Sequence, residues 1–178
     1  MMRPEAIMSR LESAASLDGP ARAAGAAVRD AVGTGALREA LRGSWMGHAV
    51  HPLLTDTVIG TWTSGLLLDL TGGTGGDRLL TAGILCSIPT ALTGAGDWAE
   101  VEANDPRARR VGAAHAALNV AALGLQVASL AARRRDARAR GVALSLAANG
   151  LLGLSGYLGG HLSYVDGVGF GLRRPGTP

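Results

Sequence analysis

Lysine is absent from this chain: all seventeen basic residues are Arg. That usage fits a GC-rich bacterial genome more than a chemical need. Aromatic residues are scarce as well, 3% of 178 residues with a single Phe. A water-soluble core normally draws on Phe and Tyr for bulk, so the deficit argues against an ordinary soluble domain. One Cys excludes an internal disulfide. Cys86 stands mid-run in Leu85-Cys86-Ser87 and reads as a small packing residue. No Cys-x-x-Cys-His sequence occurs, which excludes covalent c-type haem. The Gly-rich stretch Thr71 to Gly76 lacks the Lys-Ser/Thr ending of a phosphate-binding loop and reads as a tight connection. The first forty-odd residues carry no apolar core or cleavage pattern of a signal peptide. Net charge is only +3, and the arginines are not interleaved with aromatics, so no nucleic-acid partner is expected.

What the chain does have is apolar length and small residues. It is 47% hydrophobic with 27 Gly, many inside long apolar runs. Small residues let membrane helices approach closely. Four runs follow residue 50, and the spacing predicts helices at about 52–70, 79–97, 111–132 and 141–163. A spanning helix needs ~20 mostly apolar residues, and each run meets that. Pro52 suits the first turn of the first helix, and Pro89 predicts a kink in the second. The expected fold is therefore all-α: an integral membrane four-helix bundle over 45–170, in a bacterial cytoplasmic membrane. An amphipathic helical arm over 1–44 precedes it, and a short tail over 171–178 follows. In the arm, Pro4 to Leu11 reads as a helix broken at Gly19-Pro20, with further short helices at Ala21–Val32 and Ala36–Leu41. The arm is expected either to lie on the membrane surface or to dock a partner.

Four spans place both termini and the loop Asp97 to Arg110 on one side. All four histidines fall on that side: His48 and His51 before the first helix, His115 in the third, and His161 at the end of the fourth. His115 lies ~6 Å inside its predicted helix at 1.5 Å per residue. Asp97 and Trp98 join them. The basic loop Arg133 to Arg140 is on the other side, and the positive-inside rule makes that side cytoplasmic, although Arg38, Arg42, Arg107, Arg109, Arg110, Arg173 and Arg174 pull the other way.

Imidazoles in a membrane are costly without partners and mark functional sites. His115 is the strongest candidate, with Asn119 one turn on along the same face. His51 precedes Pro52, which biases it out of the helix and holds it at the helix mouth. Asp56, one turn on, is placed to orient the His51 ring from inside the bundle. His161 follows Tyr157 by one turn, among Gly156, Gly159 and Gly160. His48 reads equally as an interfacial residue facing headgroups, and Asp69 as a residue reaching the opposite interface. Several neutral imidazoles in a helical bundle suit b-type haem, held by axial histidines from facing helices. A non-haem Zn, Fe or Cu site on His51, His115 and His161 is the competing reading.

These residues also carry a resemblance. The stretch Gly43 to Asp56, containing Trp45-Met46-Gly47-His48-Ala49-Val50-His51-Pro52, is followed by Ile59-Gly60-Thr61-Trp62. Further on come Gly94-Ala95-Gly96-Asp97-Trp98, His115-Ala116-Ala117-Leu118-Asn119, and Gly156 to Tyr164 with Gly167-Val168-Gly169. Together they resemble the four-helix membrane family known as domain of unknown function 2231, over Trp45 to Phe170. The resemblance implies a redox setting, since relatives are often fused to a Rieske [2Fe–2S] domain. The chain departs from that pattern at Ala49 and Val58, where Pro is common. Some relatives have Glu where His161 stands, which makes His51 and His115 the safer ligand pair. The expectation is an electron-transfer component rather than a stand-alone enzyme. Its expected partners are lipid, a Rieske-type iron–sulfur protein, a possible quinone and a possible homo- or hetero-oligomer. The alternatives are a non-haem metal or quinone-linked site, or a purely structural anchor for a Rieske protein.

Overall fold

A computed structural model describes residues 4–101 and 103–169. Phe170, Arg173, Arg174 and the predicted tail lie outside the described residues. The described chain is all-α. Three short helices come first: α1 (Pro4–Ser13), α2 (Asp18–Val32) and α3 (Ala36–Arg42). Four long ones follow: α4 (His51–Thr71), α5 (Gly76–Val101), α6 (Pro106–Arg133) and α7 (Arg138–Tyr164).

The helices are longer than the apolar runs that announced them. α6 begins at Pro106, with the Asp105 carboxylate accepting the N–H groups of Arg107 and Ala108 at 2.8 and 3.2 Å. This is a side-chain N-cap followed by Pro at the first helical position. The charged segment Arg107–Arg110 therefore forms the first turn rather than a loop, and His115 lies nine residues into the helix instead of four. Gly19 and Pro20 do not break a helix. They occupy the first turn of α2, where the missing Pro N–H costs nothing. The chain turns earlier, at Ala14 to Leu17.

Among the described residues, three helices are long and apolar enough to cross a membrane: Gly76–Ala99 within α5 at mean hydropathy 1.5, and α6 and α7 at 1.4. α4 is absent from that set despite its 21 residues. Thr55, Asp56, Thr57, Thr61 and Thr63 dilute its apolar content.

The chain forms two compact units. The first comprises, among the described residues, 4–50, 93–101, 103–114 and 158–169. Its core takes Met8, Ala21 and Val32 from the arm together with Trp98, Ala99, Val111 and Leu162. Arg110 grips Asp18 with two bonds, Nε to Oδ1 at 2.6 Å and Nη2 to Oδ2 at 2.9 Å, and also donates to the Glu12 carbonyl. That grip holds the Asp18 carboxyl below the usual carboxylate range. Trp98 packs so tightly on Gly112 that a Cβ there would stand 2.2 Å from the indole nitrogen.

The second unit comprises residues 51–92 and 115–157. Its core is Val58, Trp62, Leu80, Ala122 and Leu152, with Ile84, Cys86 and Leu130 against it. The half-buried free thiol of Cys86 fits its reading as a packing residue. Trp62 meets Gly83 as Trp98 meets Gly112, and a Cβ at Gly83 would stand 2.3 Å from the ring. At one end of this unit an ionic clip ties four helices. Arg133, at the end of α6, donates to Asp69 of α4 at 2.5 Å and to Asp77 of α5 at 2.8 Å. Arg138 of α7 adds a 2.7 Å bond to Asp69. Ser129 donates to the Gly141 carbonyl at 2.6 Å and accepts from Arg133 Nε at 3.1 Å. Asp69 thus does not merely reach an interface: its side chain is 1% exposed and doubly paired.

Candidate functional site

His51 and His115 belong to the same unit. His51 is the first residue of α4 rather than a residue outside it. Its Nδ1 is 2.9 Å from the Thr90 carbonyl of α5, and Thr55 Oγ1 lies 3.4 Å from its Nε2. His115 of α6 is bound the same way across to α7, with Nδ1 2.9 Å from both the carbonyl and the Oγ of Ser155. A ring Nδ1–H donated to a carbonyl leaves Nε2 with the lone pair, the tautomer that ligand histidines use. Asn119 is where the i,i+4 spacing places it: its amide nitrogen is 3.0 Å from His115 Nε2. Ser155 Oγ donates to Asn119 Oδ1 at 2.9 Å and closes the ring of bonds.

Asp56 plays no part in this arrangement. It was expected to face the interior and orient His51, but it lies on the exposed face of α4. The carbonyl of Thr90 does the orienting instead. The spacing explains it: Val58, Trp62 and Leu66 take the buried stripe, and Asp56, five positions past His51, falls about 140° round the helix from it.

The other two histidines lie in the first unit. His161 Nε2 is 2.8 Å from Glu12 of α1 and 4.0 Å from Asp166. Burial pushes the Asp166 carboxyl up, and the neighbouring His161 charge opposes that rise. His161 thus stands against a carboxylate of the arm. His48 is exposed, and its Nδ1 lies 3.2 Å from the Ala49 carbonyl. With Arg42, Ala49, Asp97 and Gly169 it borders a cleft of about 220 Å³. Gly43 and Gly169, at φ +83° and +82°, let the backbone turn there. Tyr157 is 48% exposed. Among the described residues, no three His, Cys, Asp or Glu side chains gather closely enough to hold a metal ion. Neither this cleft nor the one beside Arg78 borders His51 or His115.

Sequence reasoning missed the acceptors Thr90 and Ser155, because a carbonyl has no sequence signature. It also missed Gln126, the only Gln in the chain, 0% exposed in α6 with no hydrogen-bond partner at either amide atom among the described residues. A lone amide in an apolar run was a legible signal, since such groups are costly when buried unpaired.

Long apolar helices, joined to one another by imidazole, amide and hydroxyl bonds, define a helical membrane protein. The family model confirms this class and makes it specific. The chain belongs to the family described as predicted membrane protein (DUF2231), whose model matches residues 47–171. No curated protein matches the chain, and no solved structure does.

Proposed function

We propose that the protein is a multi-pass membrane electron-transfer component in which α4 joins α5, α6 and α7 as a fourth span and His51 and His115 hold b-type haem. The observation that carries this reading is the matched anchoring of the two rings, each with Nδ1 at 2.9 Å from a backbone carbonyl. Two neutral imidazoles, each with Nδ1 held by a carbonyl and the lone pair on Nε2, are the donor set axial haem ligation asks for. A non-haem metal centre asks for three or four ligands, and the described residues gather no such set. Haem bound here would supply a one-electron couple. The protein's own part is to hold both rings as one tautomer, to keep the site among apolar helices, and to release Nε2 of His115 from Asn119. The redox partner we infer is a Rieske-type iron–sulfur protein, in line with the family resemblance, with a quinone as the alternative acceptor. His161 and Glu12 join the arm to the end of α7, which suits the arm to partner docking.

A second reading, a structural membrane anchor, is favoured by the closed His115–Asn119–Ser155 ring, which already satisfies every polar group in it. A visible spectrum of the detergent-purified protein, before and after dithionite, separates the two. A Soret band with a sharpened α-band on reduction, lost in His51→Ala and His115→Ala but kept in His48→Ala, supports haem on this pair. A colourless protein loaded with stoichiometric metal points to the non-haem site. A colourless protein with neither leaves the anchor.

A further inference from the structure

The end of the second unit that carries the ionic clip also carries a groove that the reading above does not use. Arg78, at the start of α5, and Arg134, just past the end of α6, stand at its rim with Thr81, while Ala82, Leu85 and Leu130 form its wall. Its volume is about 430 Å³, within the range of small-molecule clefts. Its rim is charged and its wall apolar. Both rim arginines are exposed, and neither has an ion pair or a side-chain hydrogen bond among the described residues. The one carboxylate at the rim, Asp77, is already engaged by Arg133 at 2.8 Å and faces Arg138 at 3.8 Å. Below the rim, Leu85 is 62% exposed and faces outward.

Two unneutralised guanidiniums over an apolar wall, at the end of membrane-crossing helices, complement a molecule with an anionic head and a hydrocarbon tail. Guanidinium forks match phosphate oxygens, and basic pockets between transmembrane helices recruit anionic headgroups. We propose that this groove seats an anionic phospholipid of the phosphatidylglycerol type. Its phosphate lies between Arg78 and Arg134, and an acyl chain runs along Ala82, Leu85 and Leu130. The bound lipid fills the outside of the α5–α6 seam beside the clip and covers Leu85.

The test uses the full chain in a neutral detergent with equal amounts of phosphatidylglycerol and phosphatidylcholine, and counts bound lipids by native mass spectrometry. Wild type should retain phosphatidylglycerol in preference. Arg78→Gln with Arg134→Gln should lower that retention by about thirtyfold, the scale expected for removing two juxtamembrane charges. Arg135→Gln with Arg140→Gln makes the same charge change away from the groove and should alter retention by less than about twofold on the same scale. Ala82→Trp, which fills the groove and leaves both arginines, should also lower retention. Circular dichroism of each variant verifies that the helices persist. Equal retention of the two lipids by wild type overturns the proposal. So does equal loss in the two charge pairs, unchanged retention in Ala82→Trp, or complete displacement of the lipid by inorganic phosphate.

Discussion

Arg133 and Arg110 show how differently the two units use the same residue type. Arg133 has 2% of its side chain exposed and is shared between two carboxylates, one of them equally buried. Arg110 grips one carboxylate at a partly open site, with 14% and 20% of the two side chains exposed. A buried charge without its partner is strongly unfavourable, whereas a partner lost near water is replaced by hydration. The second unit is therefore held at its end by an all-or-none device. The first unit binds its arm through a pair that salt and pH can loosen.

The comparison breaks if removing Arg133 proves cheap. Arg133→Ala leaves the buried Asp69 with only the exposed Arg138 to pair it, and should cost about 3 kcal/mol, the low end for a broken buried pair, in thermal or denaturant unfolding in detergent. A loss under about 1 kcal/mol would place the strength of that end elsewhere. Next come the two Trp–Gly contacts. Gly83→Ala and Gly112→Ala each force a methyl into a rigid indole and should cost about 1–3 kcal/mol. If Gly112→Ala is tolerated and Gly83→Ala is not, the first unit is the more plastic one. Asn119→Ala, which opens the His115 ring, should lower stability by about 1 kcal/mol, the scale of one interhelical hydrogen bond plus an unsatisfied ring nitrogen.

The smallest effect is one of pH. Asp18 has a depressed carboxyl pKa in the folded state, caused first by its hydrogen bonds from Arg110. Its contribution is present above the ordinary carboxylate pKa and is lost as pH falls through the lower, folded value. Melting curves from pH 7 down to about 3 should therefore show a wild-type decline that is shallower in Asp18→Asn. Identical slopes would mean that the pair does not bind the arm.

The helices themselves were legible, because long uncharged runs leave the backbone no other way to satisfy its polar groups in lipid. Their ends were not. Ala, Arg and Glu are good helix formers, so the charged flanks at Arg107–Arg110 and Arg138–Arg140 continued the helices instead of ending them. The His115–Asn119 pair was readable from one-turn spacing. The His51–Thr90 and His115–Ser155 bonds were not, since each joins residues about forty positions apart through a carbonyl. Asp56 was misplaced because it is five positions past His51, about 140° round the helix at 3.6 residues per turn, rather than on the same face. Asp69 was underestimated because its partner is encoded 64 residues later.

That separation bears on how the protein is made. Synthesis delivers Asp69 and Asp77 on α4 and α5 well before Arg133 and Arg138 exist to receive them. The clip is neutral as a whole, two carboxylates against two guanidiniums, yet during synthesis its acidic half stands alone. Until α6 and α7 arrive, Asp69 and Asp77 lack the basic partners that close the clip. Closure of the clip then marks the moment at which the second unit is complete.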